Sequence, residues 1–145
     1  MKAIIQRVKY GSVTVESKVI AQIEQGLVIL LGVGPDDTEE NAQSLARKIS
    51  QMRIFEDDNG KMNLSVIDKD GQAIVVSQFT LFANTKKGNR PSFIDAAPPE
   101  IASPLVDCFV GLLNDHGVPT QKGEFGAHML VKIENDGPVT IALEL

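Results

Sequence analysis

Four apolar residues, Ala73-Ile74-Val75-Val76, run directly into Ser77-Gln78-Phe79-Thr80-Leu81. The stretch predicts one buried strand over Ala73–Leu81, with Ser77 and Phe79 on one face and Gln78 and Thr80 on the other. Polar groups at the end of a buried strand must find partners. Either neighbouring strands satisfy them, or they and the adjacent backbone N–H groups line a pocket. Buried hydroxyls are commonly just satisfied, and the pattern alone does not choose. A hydroxyl nucleophile needs an adjacent base, and this segment has none.

Two further places carry chemical possibilities. Lys86-Lys87-Gly88-Asn89-Arg90-Pro91-Ser92-Phe93 joins basic charge to an aromatic ring. That mixture suits an RNA end, with phosphates met by Lys or Arg and a base stacked on Phe. It equally suits a solvated loop anchored by one Phe. Gly137-Pro138 follows Asn135-Asp136 as an expected hairpin turn, although proline removes a backbone donor from the strand that follows.

Other chemistries lack support. No Cys/His cluster has metal-ligand spacing, so neither zinc nor any other metal or cofactor is expected. Gly32-Val33-Gly34-Pro35 lacks the third glycine of a phosphate-binding loop. His116 falls at a helix end and reads as a terminal cation, while His128 is expected in a strand. Neither sits in a nucleophile motif.

The elements that must position these residues are short. Lys2–Tyr10, Ser12–Glu16 and Val19–Glu24 read as strands separated at Gly11 and at Ser17-Lys18. Leu27–Val33 is uninterrupted and apolar, the pattern of a central strand buried on both faces. A helix follows, with Asp37 as the expected cap, Glu40 completing the box, and Ala42, Leu45, Ala46, Ile49 and Met52 on its apolar face. Asp57-Asp58-Asn59-Gly60 signals a turn. Pro98-Pro99-Glu100 opens a second helix, with Ile101, Leu105, Val106, Phe109, Leu112 and Leu113 facing inward and Gly117 ending it. Two strands, Ala127–Glu134 and Val139–Leu145, close the chain. About seven strands and two helices predict one α+β domain over residues 1–145, its antiparallel-rich sheet curled into a barrel or two layers.

The chain has 145 residues, a net charge of −5 and one cysteine, Cys108. The acidic balance argues against coating nucleic acid broadly, but not against gripping the end of an RNA. The apolar runs are too short for a membrane span, the N-terminus lacks a signal-peptide pattern, and one cysteine agrees with a reducing compartment. The cytoplasm is the expected location, with no membrane partner.

Taken in order, the motifs resemble the D-aminoacyl-tRNA deacylase family. Ser77-Gln78-Phe79-Thr80-Leu81, Asn89-Arg90-Pro91-Ser92-Phe93 and Asn135-Asp136-Gly137-Pro138-Val139-Thr140 carry the likeness. Ile5-Gln6-Arg7-Val8, Ser12-Val13-Thr14-Val15, Arg53-Ile54-Phe55 and Lys61-Met62-Asn63-Leu64 extend it nearly end to end.

The resemblance implies a metal-free homodimer with a β-barrel-like fold that hydrolyses the ester between a D-amino acid and the 3′-terminal adenosine of tRNA, and also removes mischarged glycine. It implies that Ser77, Gln78, Phe79 and Thr80 form the pocket floor. Gly137 and Pro138, joined by a cis bond, are implied to enter the partner subunit's pocket and reject L-amino acids. Arg7 is implied to support that turn, and Phe125 and Met129 to lie near the adenosine; Pro91, Ser92 and Phe93 match substrate-binding positions. An aminoacyl ester is activated, so donors aimed at the developing oxyanion, each supplying about 3–4 kcal/mol, are a reasonable engine. The Phe79 and Thr80 N–H groups are the expected donors, with water attacking and the substrate's 2′-hydroxyl assisting. A non-catalytic RNA-end binder and an enzyme acting on free metabolites are the competing readings.

Overall fold

The computed structural model describes all 145 residues. Its first element, β1 (Lys2–Val15), is one strand rather than two. Gly11 does not break it: a Cβ at that position would sit 2.7 Å from Val28 Cγ2, so the missing side chain lets the strand pass its neighbour closely. Strands β2 (Lys18–Ile23) and β3 (Gly26–Gly32) both pair antiparallel with one edge of β1. β3 takes the half running from Lys2 to Val8, and β2 the half from Gly11 to Val15.

A small hairpin, β4 (Phe55–Glu56) and β5 (Met62–Leu64), encloses the expected turn at Asp57–Gly60. Strand β6 (Gln72–Ser77) lies parallel to β3, and β7 (Thr120–Lys122), unmarked in the sequence pattern, lies parallel to β6. The side chain of Gln121 then reaches β2, accepting the Gln22 N–H at 2.9 Å and donating to the Gln22 carbonyl at 2.6 Å. That reciprocal pair brings the two ends of the rolled sheet together, so the barrel is nearly closed. The final strand, β8 (Leu130–Glu144), runs along the other edge of β1.

The expected α+β class holds, with two helices: α1 (Glu39–Ser50) and α2 (Pro99–Asp115). Two apolar clusters share the sheet. Leu27, Ile29 and Leu31 of β3 pack with Leu45, Ile49, Phe55, Phe109 and Leu113. Val28 joins Val8, Val13, Ile23, Ile74 and Val76 in the second cluster. Strand β3 is therefore buried on both faces, as its unbroken apolar run requires. Each large side chain removed from water this way contributes about 1.5–3 kcal/mol.

Several local expectations are corrected. Thr38, not Asp37, caps α1, and Asn41 rather than Glu40 returns the bond, its Oδ1 accepting the Thr38 N–H at 2.9 Å. The Asp37 carboxylate is engaged elsewhere: it accepts the Gly34 N–H at 2.6 Å and meets the N-terminal ammonium. On α2, Ala102 is buried where Ile101 was expected, because Ile101 lies on the exposed side, and Leu112 is only half-buried. His128 precedes β8 instead of lying in a strand. Finally, Asn135–Pro138 is not a hairpin turn, since both of its flanks belong to β8 and pair with β1 throughout.

Candidate active site

The predicted strand Ala73–Leu81 ends early. Pairing with β3 stops at Leu31↔Ser77, the Gln78 N–H makes a last bond to the Leu31 carbonyl at 2.8 Å, and Phe79–Phe82 coil into a 3-10 turn. The opening N–H groups of such a turn have no acceptor within it. Phe79 and Thr80 occupy the first two positions of that turn, so neither N–H has a partner within it. The Gln78 amide donates to the Thr80 hydroxyl oxygen, which fixes that hydroxyl as an acceptor and places no base beside it.

Above this strand end lies a cavity of about 450 Å³, in the usual size range of small-molecule sites. Ser77, Gln78 and Phe79 line it from below, Phe93 and Phe125 from the sides. The remaining wall is apolar: Leu31 and Val33 at the β3 end, Ala96, Ala97 and Pro98 of the loop before α2, and Pro99, Ala102 and Val106 of α2. The loop is tied down where the Ala97 N–H bonds the Val33 carbonyl at 2.9 Å. Phe79 is 57% exposed as a residue, and its ring meets Phe93 edge-to-face, centroids 5.1 Å apart at 76°. Exposed rings at a cavity mouth are platforms for a flat base.

No ionisable side chain lines the cavity. The thiol of Cys108 lies elsewhere, and burial, with Glu39 nearby, pushes its pKa up and away from a reactive thiolate. No group of three or more His, Cys, Asp or Glu side chains is gathered as for a metal ion.

The second site lies in β8. Gln6 pairs with Thr140 and Val8 with Asn135, so the segment Asp136–Val139 loops out opposite the single residue Arg7. The Gly137-Pro138 bond is cis, and both residues are exposed. Asn135 closes the neck of the loop: its Oδ1 accepts the Val139 N–H at 2.7 Å, and its Nδ2 donates to the Val139 carbonyl at 3.2 Å and to Thr140 Oγ1 at 3.0 Å. Arg7, only 4% exposed, holds it from beneath. Its Nε donates to the Asp136 carbonyl at 3.0 Å and its Nη1 to the Ile54 carbonyl at 2.7 Å. Glu56 and the Asp136 carboxylate balance its charge at 3.9 and 3.6 Å. Gly137 has φ +135°, and a Cβ there would come within 2.8 Å of Val139 Cγ2 and 3.1 Å of Arg7 Nη2.

The cavity thus brings together Ser77, Gln78, Phe79, Phe93 and Phe125, with Thr80 attached through Gln78. Arg7, Gly137 and Pro138 form a separate assembly, outside the cavity of their own chain. Pro91, Ser92 and Met129 do not line the cavity. Ser92 pairs with Asn84 through two backbone hydrogen bonds, and Met129 packs on the second core cluster.

A family model described as D-Tyr-tRNA(Tyr) deacylase matches residues 4–144. The chain belongs to this family. A D-aminoacyl-tRNA deacylase of Thermosipho africanus is 51% identical over 144 residues, covering 99% of this chain and 97% of that protein. One from Roseiflexus sp. strain RS-1 is 56% identical over 144 residues, 99% and 93% of the two chains. Among solved structures, one named c-Myc DNA Unwinding Element Binding Protein has a TM-score of 0.93 at 43% identity, covering 100% of this chain and 99% of that one. A structure described as a probable eukaryotic D-amino acid tRNA deacylase shares the fold, TM-score 0.85 at 17% identity, over 99% and 98% of the chains. The deacylase family resemblance carried by the strand-end and Gly-Pro motifs is therefore correct. Asn135 entered the sequence reading only as part of its motif, with no role of its own, and α2 was read as a core helix and not as a cavity wall.

Proposed function

We propose that this protein is a D-aminoacyl-tRNA deacylase, hydrolysing the ester between a D-amino acid and the terminal adenosine of tRNA. The reading is supported by membership of the deacylase family and by the names of relatives at 51–56% identity over almost the whole chain. The observation that carries the mechanism is a cavity with no ionisable side chain at the strand end where Phe79 and Thr80 open the 3-10 turn. Such a site has no acid or base to offer, only an electrostatic cradle. That suffices for an activated ester, where each oxyanion donor contributes about 3–4 kcal/mol.

The terminal adenosine stacks among Phe79, Phe93 and Phe125, placing the ester carbonyl over the Phe79 and Thr80 N–H groups. Water attacks, the carbonyl oxygen takes the negative charge into those donors, and the ribose 2′-hydroxyl of the substrate assists. Thr80, already accepting from Gln78, positions rather than attacks. No metal takes part, and glycyl-tRNA, lacking a side chain, enters the same pocket. Pro91, Ser92 and Met129 act at the edge of the substrate site.

Chiral selection falls to Gly137 and Pro138 working across a homodimer. Their exposure, their separation from their own cavity and their support by Arg7 suit a turn that enters the partner subunit and excludes L side chains with a backbone wall. Support for the dimer comes from β8, which pairs only with β1 and leaves a 15-residue edge open. No helix is long and apolar enough to cross a membrane; the reaction is assigned to the cytoplasm, where tRNA is charged.

The test is deacylation of D-tyrosyl-tRNA, L-tyrosyl-tRNA and glycyl-tRNA by purified protein against a no-enzyme blank. Release of D-tyrosine and glycine but not L-tyrosine is expected. Tight tRNA binding without release of any amino acid would instead identify a nucleic-acid-binding module. A trapped acyl adduct on Thr80, with Thr80→Val inactive but still binding substrate, would replace water attack by covalent catalysis.

A further inference from the structure

Lys2, Arg7, Lys9, Lys122 and Lys132 are all drawn into ion pairs with carboxylates. Lys86, Lys87 and Arg90 are in none; Lys18, Arg47, Lys48, Arg53, Lys61 and Lys69 are also unpaired, but only Lys86, Lys87 and Arg90 gather three exposed cations on one loop. They stand within five residues of one another in a chain whose net charge is −5. An acidic protein that leaves three neighbouring cations unneutralised keeps a local positive field that its own side chains do not cancel.

The loop bearing them is built, not merely exposed. Asn84 and Ser92 exchange backbone hydrogen bonds of 2.8 and 2.9 Å across its base. The Asn84 side chain braces the first turn, its Oδ1 accepting the Lys86 N–H at 3.1 Å. One end leaves the 3-10 turn that follows the cavity floor, and the other enters Phe93, which walls the cavity. The cations are thus carried on a braced loop whose two ends adjoin the site. The nearby carboxylate, Asp95, is already approached by the Asn84 amide at 3.5 Å.

We propose that the 84–92 loop is a clamp for the phosphate backbone of the RNA strand leading to the terminal adenosine, with Lys86, Lys87 and Arg90 neutralising phosphates. This rests on the deacylase reading and adds to it a binding surface outside the catalytic cavity. It resolves a tension in the composition: an acidic protein repels a polyanion overall, so its grip must be local. The clamp accelerates capture and lowers KM without touching the reacting ester, because its groups do not line the cavity.

The experiment compares the parent protein with a Lys86→Ala/Lys87→Ala/Arg90→Ala variant on two substrates, full-length D-tyrosyl-tRNA and 3′-O-D-tyrosyl-adenosine, which has no phosphate. On the tRNA, kcat/KM is expected to fall on the order of tenfold or more with kcat little changed. The plot of log kcat/KM against log salt is expected to become shallower by about 2, the share of three single-strand phosphate contacts. On the adenosine ester, the two proteins should match. A Lys86→Arg/Lys87→Arg/Arg90→Lys variant should keep the parent's salt slope. An unchanged salt slope on tRNA would overturn the clamp. So would an equal loss on both substrates, since that would mean the loop acts through Phe93 and the pocket wall. A parent protein inactive on both substrates would sink the deacylase reading itself, and the clamp with it.

Discussion

Arg7 shows how one residue can serve a site it does not enter. It is buried, and its guanidinium divides itself between two carbonyls from different parts of the chain, Asp136 of the β8 loop and Ile54 before β4. A lysine has neither the fork nor the reach to hold both at once. Arg7→Ala strands two carbonyl acceptors, while Asp136 keeps Lys9 and Glu56 faces solvent, and should cost about 2 kcal/mol or more, read as a lower urea midpoint. Asn135 is the more selective probe, because its side chain closes only the neck of the loop. Asn135→Ala should leave the D-tyrosyl-tRNA rate within about fivefold, the factor that about 1 kcal/mol spans, because none of its three hydrogen bonds touches the cavity. L-tyrosyl-tRNA hydrolysis should rise by a larger factor. A mutant whose D/L ratio equals the parent's would remove the neck from any part in selection.

At the scale of elements, the sequence was informative where burial dictated pattern and silent where a neighbour decided the outcome. The run Leu27–Val33 announced a central strand because both faces of β3 are covered, and the apolar spacing of Leu45, Ala46 and Ile49 announced α1. The end of β6 at Ser77 left no such mark, since it depends on where β3 stops pairing. The Asn135–Pro138 loop looked like a hairpin because Asp-Gly usually makes one. Only the continuous register of β1 shows it to be a bulge within one strand. Helix α2 does two jobs in different turns, walling the cavity with Ala102 and Val106 and filling the core with Phe109 and Leu113. Phe109→Ala should therefore destabilise the fold by about 3–5 kcal/mol. KM for D-tyrosyl-tRNA, measured well below the melting temperature, should remain close to the parent's. A large KM change at full folding would mean that the core and wall of α2 are not separable.

At the scale of the whole molecule, the cavity and the Gly-Pro loop lie apart on one chain, so the proposed selection by Gly137 and Pro138 needs a loop from a second subunit. A cavity without ionisable groups predicts a pH profile of kcat/KM with no limb belonging to an enzyme carboxylate or imidazole between about pH 4 and 7. A histidine-like inflection in that range, absent from the substrate's own titration, would require a catalytic group that this site does not contain. The trans arrangement predicts something stronger. Take a Ser77→Phe chain, whose cavity is filled, and a Gly137→Ala chain, whose loop is forced against Val139 and Arg7 but whose cavity is intact. Alone, the first is expected to be inactive, and the second to hydrolyse both D- and L-tyrosyl-tRNA. In a mixed dimer, the working cavity of the second chain receives the undamaged loop of the first. Adding the inactive chain should then lower L-hydrolysis relative to D-hydrolysis, after unfolding and refolding the two together. If each loop served its own chain's cavity, the inactive partner would contribute nothing and the L/D ratio would stay at the value of the Gly137→Ala protein. The ratio on mixing therefore reports which subunit supplies the wall, independently of how well either variant is expressed.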